Sequence, residues 1–512
     1  MSSQNKGLFS DKIVQKDWIQ LHPLKLHSTT DFYYIQLSNK IFTLLLKDKT
    51  VNEFPTSLKR QFALTATAYF EDVISKIGLW SAIRKIHFEK HGKYIPFIDT
   101  TDEYQLDEIN LEDVQFLIWT IFQRDVLECD ELRFINIENP LLRYVSLIVY
   151  GVLDAEYETA PENETLYNAV HSANLATDYF LFREFLKWLH YDSYLSEEYP
   201  ENEVRNEIED LKKTKNQEYF YENKDALKYT LIHSLIFTSP CSPMAILSSK
   251  WLAEIVSDSK VKDIARAIAY RRFNNYRITG IDSKTIKVQL LDGDTDILEL
   301  DINSLNSTKG IKDKTTISCA MTWFDGIWNV NGMASFGDID EDDNLKDSIN
   351  NVAIEKKEDD KLTYDFVLKN NNNSPIAYFR DTKELSVFLL KLFPNSSKSE
   401  LIPSNMTGNT NIVIFTHPKL GLIMFPDLAK WIKDKNNPCY NQKSASDHAV
   451  SILCGGYSCQ REFLEYVIQN NLIPDARINS LNGEDYGRKL VQQNLDFIIR
   501  FFQPELFSVK VD

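Results

Sequence analysis

The chain has 512 residues, 43% hydrophobic and 12% aromatic, which supplies a sizeable core and excludes an extended disordered chain. A formal net charge of −17 works against long-range attraction to nucleic acid or to an anionic membrane, unless a local basic patch overrules the average. The six cysteines, Cys129, Cys241, Cys319, Cys439, Cys454 and Cys459, are dispersed without a C-x-x-C pair and read as reduced thiols of a cytoplasmic protein.

The N-terminus lacks the apolar core of a signal peptide, and the run at residues 144–153 is about half as long as the ~20 residues a membrane span needs. After Pro23 the pattern predicts a helix over Thr30–Leu46. Phe62, Ala66, Tyr69, Val73, Ile77 and Trp80 then recur at steps of three and four, the spacing of a single helix face. Gly92 is a stop signal, and Asn110, followed by Leu111, Glu112 and Asp113, is expected to cap a further helix with its side chain. Ile109 and Val114 occupy the hydrophobic-staple positions of that helix. Pro140 marks another helix entry, and Pro161 is expected to open one that runs to about Tyr191.

Four strings in this half, AYFEDVISKIGLW from Ala68, GKYIPF from Gly92, EINLEDVQFLIW from Glu108 and APENETLYNA from Ala160, resemble an uncharacterised bacterial family known only as a domain of unknown function. The resemblance implies a bacterial, cytoplasmic protein. It implies no mechanism and no functional residue.

Residues 196–218 hold eight acidic and four basic residues with almost no apolar ones, which reads as a solvated helix tip or loop. Helix patterns return over residues 225–238 and 242–256 and extend to about Tyr270. From Tyr276 the period becomes two, and five short β-rich runs separated by turn signals predict a small antiparallel barrel or sandwich. Ile278, Ile286, Val288, Leu290, Leu298 and Leu300 are its expected core. Asp338–Asp360 carries ten Asp/Glu against three Lys, a composition of a linker. Beyond it YDFVL, IAYFR, NIVIFT and LGLIMF read as strands, Leu385 to Leu392 as a helix, and the chain from Pro426 as mainly helical.

The expected organisation is therefore α+β and multidomain. A helical domain spans 1–270, a β module 271–337, an acidic linker 338–360 and an α+β domain 361–512.

Candidate chemistry is sparse. His87 and His91 lie four apart, as two metal ligands on one helix face would, but both also approach the helix end at Gly92, where imidazoles suit the negative dipole. The Cys454-Gly-Gly-Tyr-Ser-Cys459 turn, with His448 upstream, holds nucleophile types without a nucleophile-elbow pattern, and Ser458 reads as a helix cap. Glu156, Glu158 and Glu162 beside Asn163 form an acidic patch that a solvated helix entrance explains. Arg266, Arg271, Arg272 and Arg277, interleaved with Tyr270, Phe273 and Tyr276, are the best candidates for phosphate contact. Trp323, Phe324 and Trp328 crowd around the Asp325-Gly326 turn, and neighbours on a strand point to opposite faces, so one ring is expected outside the barrel core.

The favoured reading is a non-enzymatic interaction or scaffold protein with a protein partner, no cofactor and no membrane. Trp323, Phe324, Trp328, Arg271 and Arg272 are its binding residues. The alternatives are a hydrolase or metal-dependent enzyme using His87/His91 or the Cys454–Cys459 turn, and a nucleic-acid binder using Arg266–Arg277.

Overall fold

The computed structural model describes residues 12–100, 103–128, 134–197, 199–214, 217–291, 296–305, 311, 315–338, 360–394, 401–402, 404–406, 408–474, 478 and 480–509. It is mixed α+β, with helices through the N-terminal half and the sheets in the C-terminal half. Its contacts divide into two units: residues 1–131, 135–339 and 503–512, and residues 132–134 and 340–502. The acidic segment 338–360 lies outside the described residues except for its two ends.

The helices of the first unit are α1 (Gln15–Ile19), α2 (Asp31–Lys47), α3 (Thr56–Ile74), α4 (Leu79–His91), α5 (Leu111–Glu128), α6 (Pro140–Asp154), α7 (Glu164–Val170), α8 (Tyr179–Tyr191), α9 (Tyr199–Thr214), α10 (Gln217–Thr238), α11 (Ser248–Ile255) and α12 (Ser259–Ala267). The face expected to be one helix from Phe62 to Trp80 is two. After Ile74 the chain turns through Lys76 (φ 54°) and Gly78 (φ 97°). Buried Asp72 receives the free amides of the new helix start: Oδ1 accepts from Gly78 N and Leu79 N, and Oδ2 from Trp80 N. An apolar period of three and four cannot register this break, because Ile77 and Trp80 are still fully buried after it. The segment after Pro161 is likewise α7, a 3₁₀ turn at Ala173–Ala176 and α8. Asn163, Ser172 and Asp178 each cap a new start with a side-chain oxygen.

Asn110 departs from its expected role. Its Oδ1 accepts from Gln105 N, and its Nδ2 donates to Gln105 O and Glu108 O, so it ties the preceding loop instead of the helix amides. Asp113 in the first turn of α5 is fully buried and takes four partners, one of them Asn110 Nδ2 at 3.4 Å. Tyr69 and Tyr104 donate their hydroxyls at 2.8 Å each, and Arg84 Nη1 lies at 3.3 Å. Ile109 and Val114 are both buried, as staple residues should be.

Strands β1 (Ala269–Ile281), β2 (Thr285–Leu290), β3 (Ile297–Asp301), β4 (Thr316–Phe324) and β5 (Ile327–Gly337) form, among the described residues, a closed barrel in the order β1-β2-β3-β5-β4. Closure is made by a parallel pairing of β3 with β5 at Leu300 and Trp328, so the sheet is not wholly antiparallel. The expected core residues Ile286, Val288 and Leu300 are fully buried, and Ile278, Leu290 and Leu298 pack against them. β1 begins at Ala269, well before Tyr276, so Arg271 and Arg272 are strand residues.

The outer face of β4 and β5 is seated on α8 and α10. Phe324 meets Tyr179 and Phe182 at ring-centroid distances of 5.7 and 5.2 Å. Asn331 Nδ2 donates to His233 O at 2.9 Å, and Met333 N to Thr230 Oγ1 at 3.1 Å. At Gly332 (φ 85°) a Cβ would lie 2.9 Å from Thr230 Cα, so only glycine allows this approach of strand to helix.

In the second unit β6 (Ile376–Asp381), β7 (Thr410–His417) and β8 (Gly421–Phe425) form an antiparallel sheet in sequence order. The helix Thr382–Leu392 follows β6 directly, with Asp381 capping Lys383 N and Glu384 N. The run YDFVL, expected as a strand, lies within helical residues 360–370. The buried positions of this helix, Thr363 and Val367, are one helical turn apart, as helical packing requires.

Candidate functional site

The inward row of β4, Ile317, Cys319 and Met321, continues to Trp323, which pairs across the sheet with Trp328 next to the inward Val330. Arg271 pairs with Met321 and so joins the same row. Its guanidinium carbon lies 5.4 Å from the centre of the Trp328 ring, and the two indoles meet edge to face at 5.5 Å. Trp323, Trp328 and Arg271 are half-buried, while Arg272 is exposed. Trp323, Trp328 and Arg271 make an aromatic and cationic rim at the barrel end where β4 turns into β5. Phe324 is not part of it: this ring, only 5% exposed, is committed to α8.

The other arginines separate. Arg266 pairs with Glu254 at 3.0 Å, whereas Arg272 and Arg277 make no ion pair among the described residues. Phe273 between them is 43% exposed.

The remaining sequence candidates have structural occupations. His87 is buried, its Nδ1 lies 2.7 Å from Lys93 O, and its ring packs on His91 at 4.7 Å. Gly92 (φ 68°) closes the helix beside them. Cys454 and Cys459 are buried, and burial pushes both thiols up, Cys459 to about 12, away from the reactive thiolate. His448 does not face them; it stacks on Trp431 at 4.4 Å and its Nδ1 meets Ser444 O at 2.8 Å. Ser458 does not cap the following helix, Arg461–Gln469, whose N-cap is Gln460, because the helix starts too late for the serine to reach its first amides.

The Glu156 patch is divided. Glu156 accepts from Lys40 Nζ at 2.6 Å and from Tyr33 at 3.2 Å, and the lysine contact holds its carboxyl below the usual range. Asn163 turns inward, donating to Glu71 Oε1 at 2.8 Å, and the other Glu71 oxygen meets His22 Nε2 at 2.9 Å. Among the described residues no group of three or more His, Cys, Asp or Glu side chains is arranged to hold a metal ion.

Two features escaped the sequence reading. His190 is fully buried with no hydrogen-bond partner on either ring nitrogen among the described residues, and burial lowers its pKa to about 3, so it is neutral. The second is a groove of about 660 Å³ lined by α8, α9 and α10. The segment read as solvated is the helix α9, and its Val204 is 8% exposed. The signal was present in the spacing: positions 201, 204, 205, 208, 209 and 212 fall on one face of α9, and 221, 224, 228 and 232 on one face of α10. Counting charges over the segment hid it.

No helix among the described residues is long and apolar enough to cross a membrane. No curated protein and no solved structure matches the chain. A family model does match, over residues 12–275 and 322–503, passing over the second half of β1, all of β2 and β3 and most of β4. The chain therefore belongs to the family described as "Protein of unknown function (DUF3843)".

Proposed function

We propose that the chain is a non-enzymatic interaction protein that engages a protein partner through the barrel end formed by Trp323, Trp328 and Arg271, with Arg272 at its edge. The observation that carries this reading is the partly exposed indole pair, with the Arg271 guanidinium over the Trp328 ring. Tryptophan and arginine dominate binding hot spots because they combine large contact area with a polar handle. The buried, high-pKa thiols of Cys454 and Cys459 and the carbonyl-bound ring of His87 favour binding over covalent or metal chemistry. The thiols of Cys241, Cys319, Cys439, Cys454 and Cys459 are free, which fits a reducing compartment such as the cytoplasm.

The test is to identify a partner that co-purifies from the native host, prepare it separately and titrate it with the purified chain. Trp323→Ala is expected to weaken binding at least tenfold, with an unchanged melting temperature for Arg271→Ala as a folding control. Equal affinity for both variants and the parent would sink the proposal.

A second reading rests on Phe273, exposed between the unpaired Arg272 and Arg277, since bases stack on such rings while arginines meet the backbone. Fluorescence anisotropy with a single-stranded oligonucleotide checks it, and binding that survives Phe273→Ala at unchanged strength rejects it.

A further inference from the structure

We propose that the groove between α8, α9 and α10 binds an amphiphilic organic anion, a carboxylate with an extended apolar body. At about 660 Å³ the groove falls within the ~300–1,000 Å³ typical of small-molecule sites. Arg205 and Lys212 line it from α9, Lys224 and Lys228 from α10. None of these four forms an ion pair among the described residues, although the chain carries a net charge of −17. Elsewhere many cations are paired, including Lys187 on the same groove, which lies 3.0 Å from Glu184.

Below the cations the lining is apolar. Val204, Ile208 and Ile232 contribute aliphatic surface, and the ring of Tyr191 is fixed by its hydroxyl donating to Ile232 O at 3.1 Å. Asp192, Glu201 and Glu209 also line the groove, so with Lys187 held by Glu184 the four other basic groups face three acidic ones. The surplus is small but positive, and it sits beside apolar surface. A simple inorganic anion would satisfy the lysines but leave the aliphatic wall wet. An apolar ligand without charge would leave the cations uncompensated. A chain-bearing carboxylate satisfies both, because burial of apolar surface and ion pairing act on different ends of the same molecule.

The experiment is calorimetric titration of the full chain with sodium laurate below its micelle concentration, alongside acetate and dodecyltrimethylammonium. Expected are one saturable laurate site, no acetate binding, and a cationic amphiphile at least tenfold weaker. Lys224→Glu/Lys228→Glu, at exposed positions, should weaken laurate at least tenfold with an unchanged melting curve; Arg205→Glu/Lys212→Glu serves if the first pair folds poorly. Trp323→Ala should bind laurate as the parent does, because this site is independent of the barrel end. The proposal is overturned by the absence of saturable laurate binding, by equal binding of the two amphiphiles, or by charge reversals without effect. Dimerisation abolished by those reversals, without laurate binding, would place a second copy in the groove and also overturn it.

Discussion

Charge is handled in opposite ways in two regions of the first unit. Around α3, α4 and α5, Asp72, Asp113 and Glu71 are buried and fully engaged by amides, hydroxyls and an imidazole. Along α9 and α10, Arg205, Lys212, Lys224 and Lys228 stand over an apolar wall without ion partners among the described residues. Buried charge is tolerated only when its hydrogen-bonding capacity is filled, so the first region is architecture. Uncompensated charge beside apolar surface is costless in water and becomes useful when a ligand arrives. The barrel repeats the contrast on a smaller scale, with Phe324 committed to α8 and Trp323 half open.

The sharpest way to break this division is Asp72→Ala. It would strand the amides of Gly78, Leu79 and Trp80 and the hydroxyl of Tyr194, which donates to Asp72 Oδ2 at 2.7 Å. A loss of about 3–5 kcal/mol is expected in urea denaturation, given unsatisfied-donor costs of about 1–3 kcal/mol each and incomplete additivity. A loss under about 1 kcal/mol would mean the cluster is not structural.

Phe324→Ala should follow at roughly 3 kcal/mol, the usual cost of removing a buried ring. Trp323→Ala should cost about 1 kcal/mol, since a half-exposed side chain loses less burial. Equal melting shifts for the two variants would erase the distinction between the packed and open faces of β4.

His190 offers a comparison by pH. Its folded pKa is lowered to about 3 from an ordinary value of 6.5. As pH falls below 6.5 the unfolded chain binds a proton that the folded chain refuses. The contribution is therefore complete above pH 6.5 and is lost at ~1.4 kcal/mol per pH unit toward pH 3. Denaturation of the parent and His190→Phe at pH 7 and pH 4.5 isolates the term. The variant should lose about 2–3 kcal/mol less on acidification, and parallel losses would show that the ring has a hidden partner.

The smallest expected effect is at the open groove. Lys228→Glu should change stability by no more than about 0.5 kcal/mol, as solvated surface substitutions do. A larger drop in thermal denaturation would make Lys228 a structural residue and align the groove with the buried clusters.

Apolar period and turn chemistry determined the classes of most elements from sequence alone. The helix Asp31–Lys47, the Pro140 entry, the strands β7 and β8 and the inward row of the barrel follow from spacing, because side-chain direction repeats every 3.6 residues in a helix and every two in a strand. The Gly92 stop beside His87 and His91 was legible for the same local reason. What periodicity could not reveal was where a long-range acceptor interrupts it. Asp72 caps a helix that starts seven residues later, and Asn110 turns from its own helix to Gln105. YDFVL has the composition of a strand, yet its buried Val367 belongs to a helix, since burial is set by what lies against the segment. The same reason governs the sites. That Trp323 stays half open while its neighbour Phe324 is covered depends on α8, some 140 residues earlier in the chain. The groove exists only because tertiary packing brings the cationic faces of α9 and α10 together beside α8.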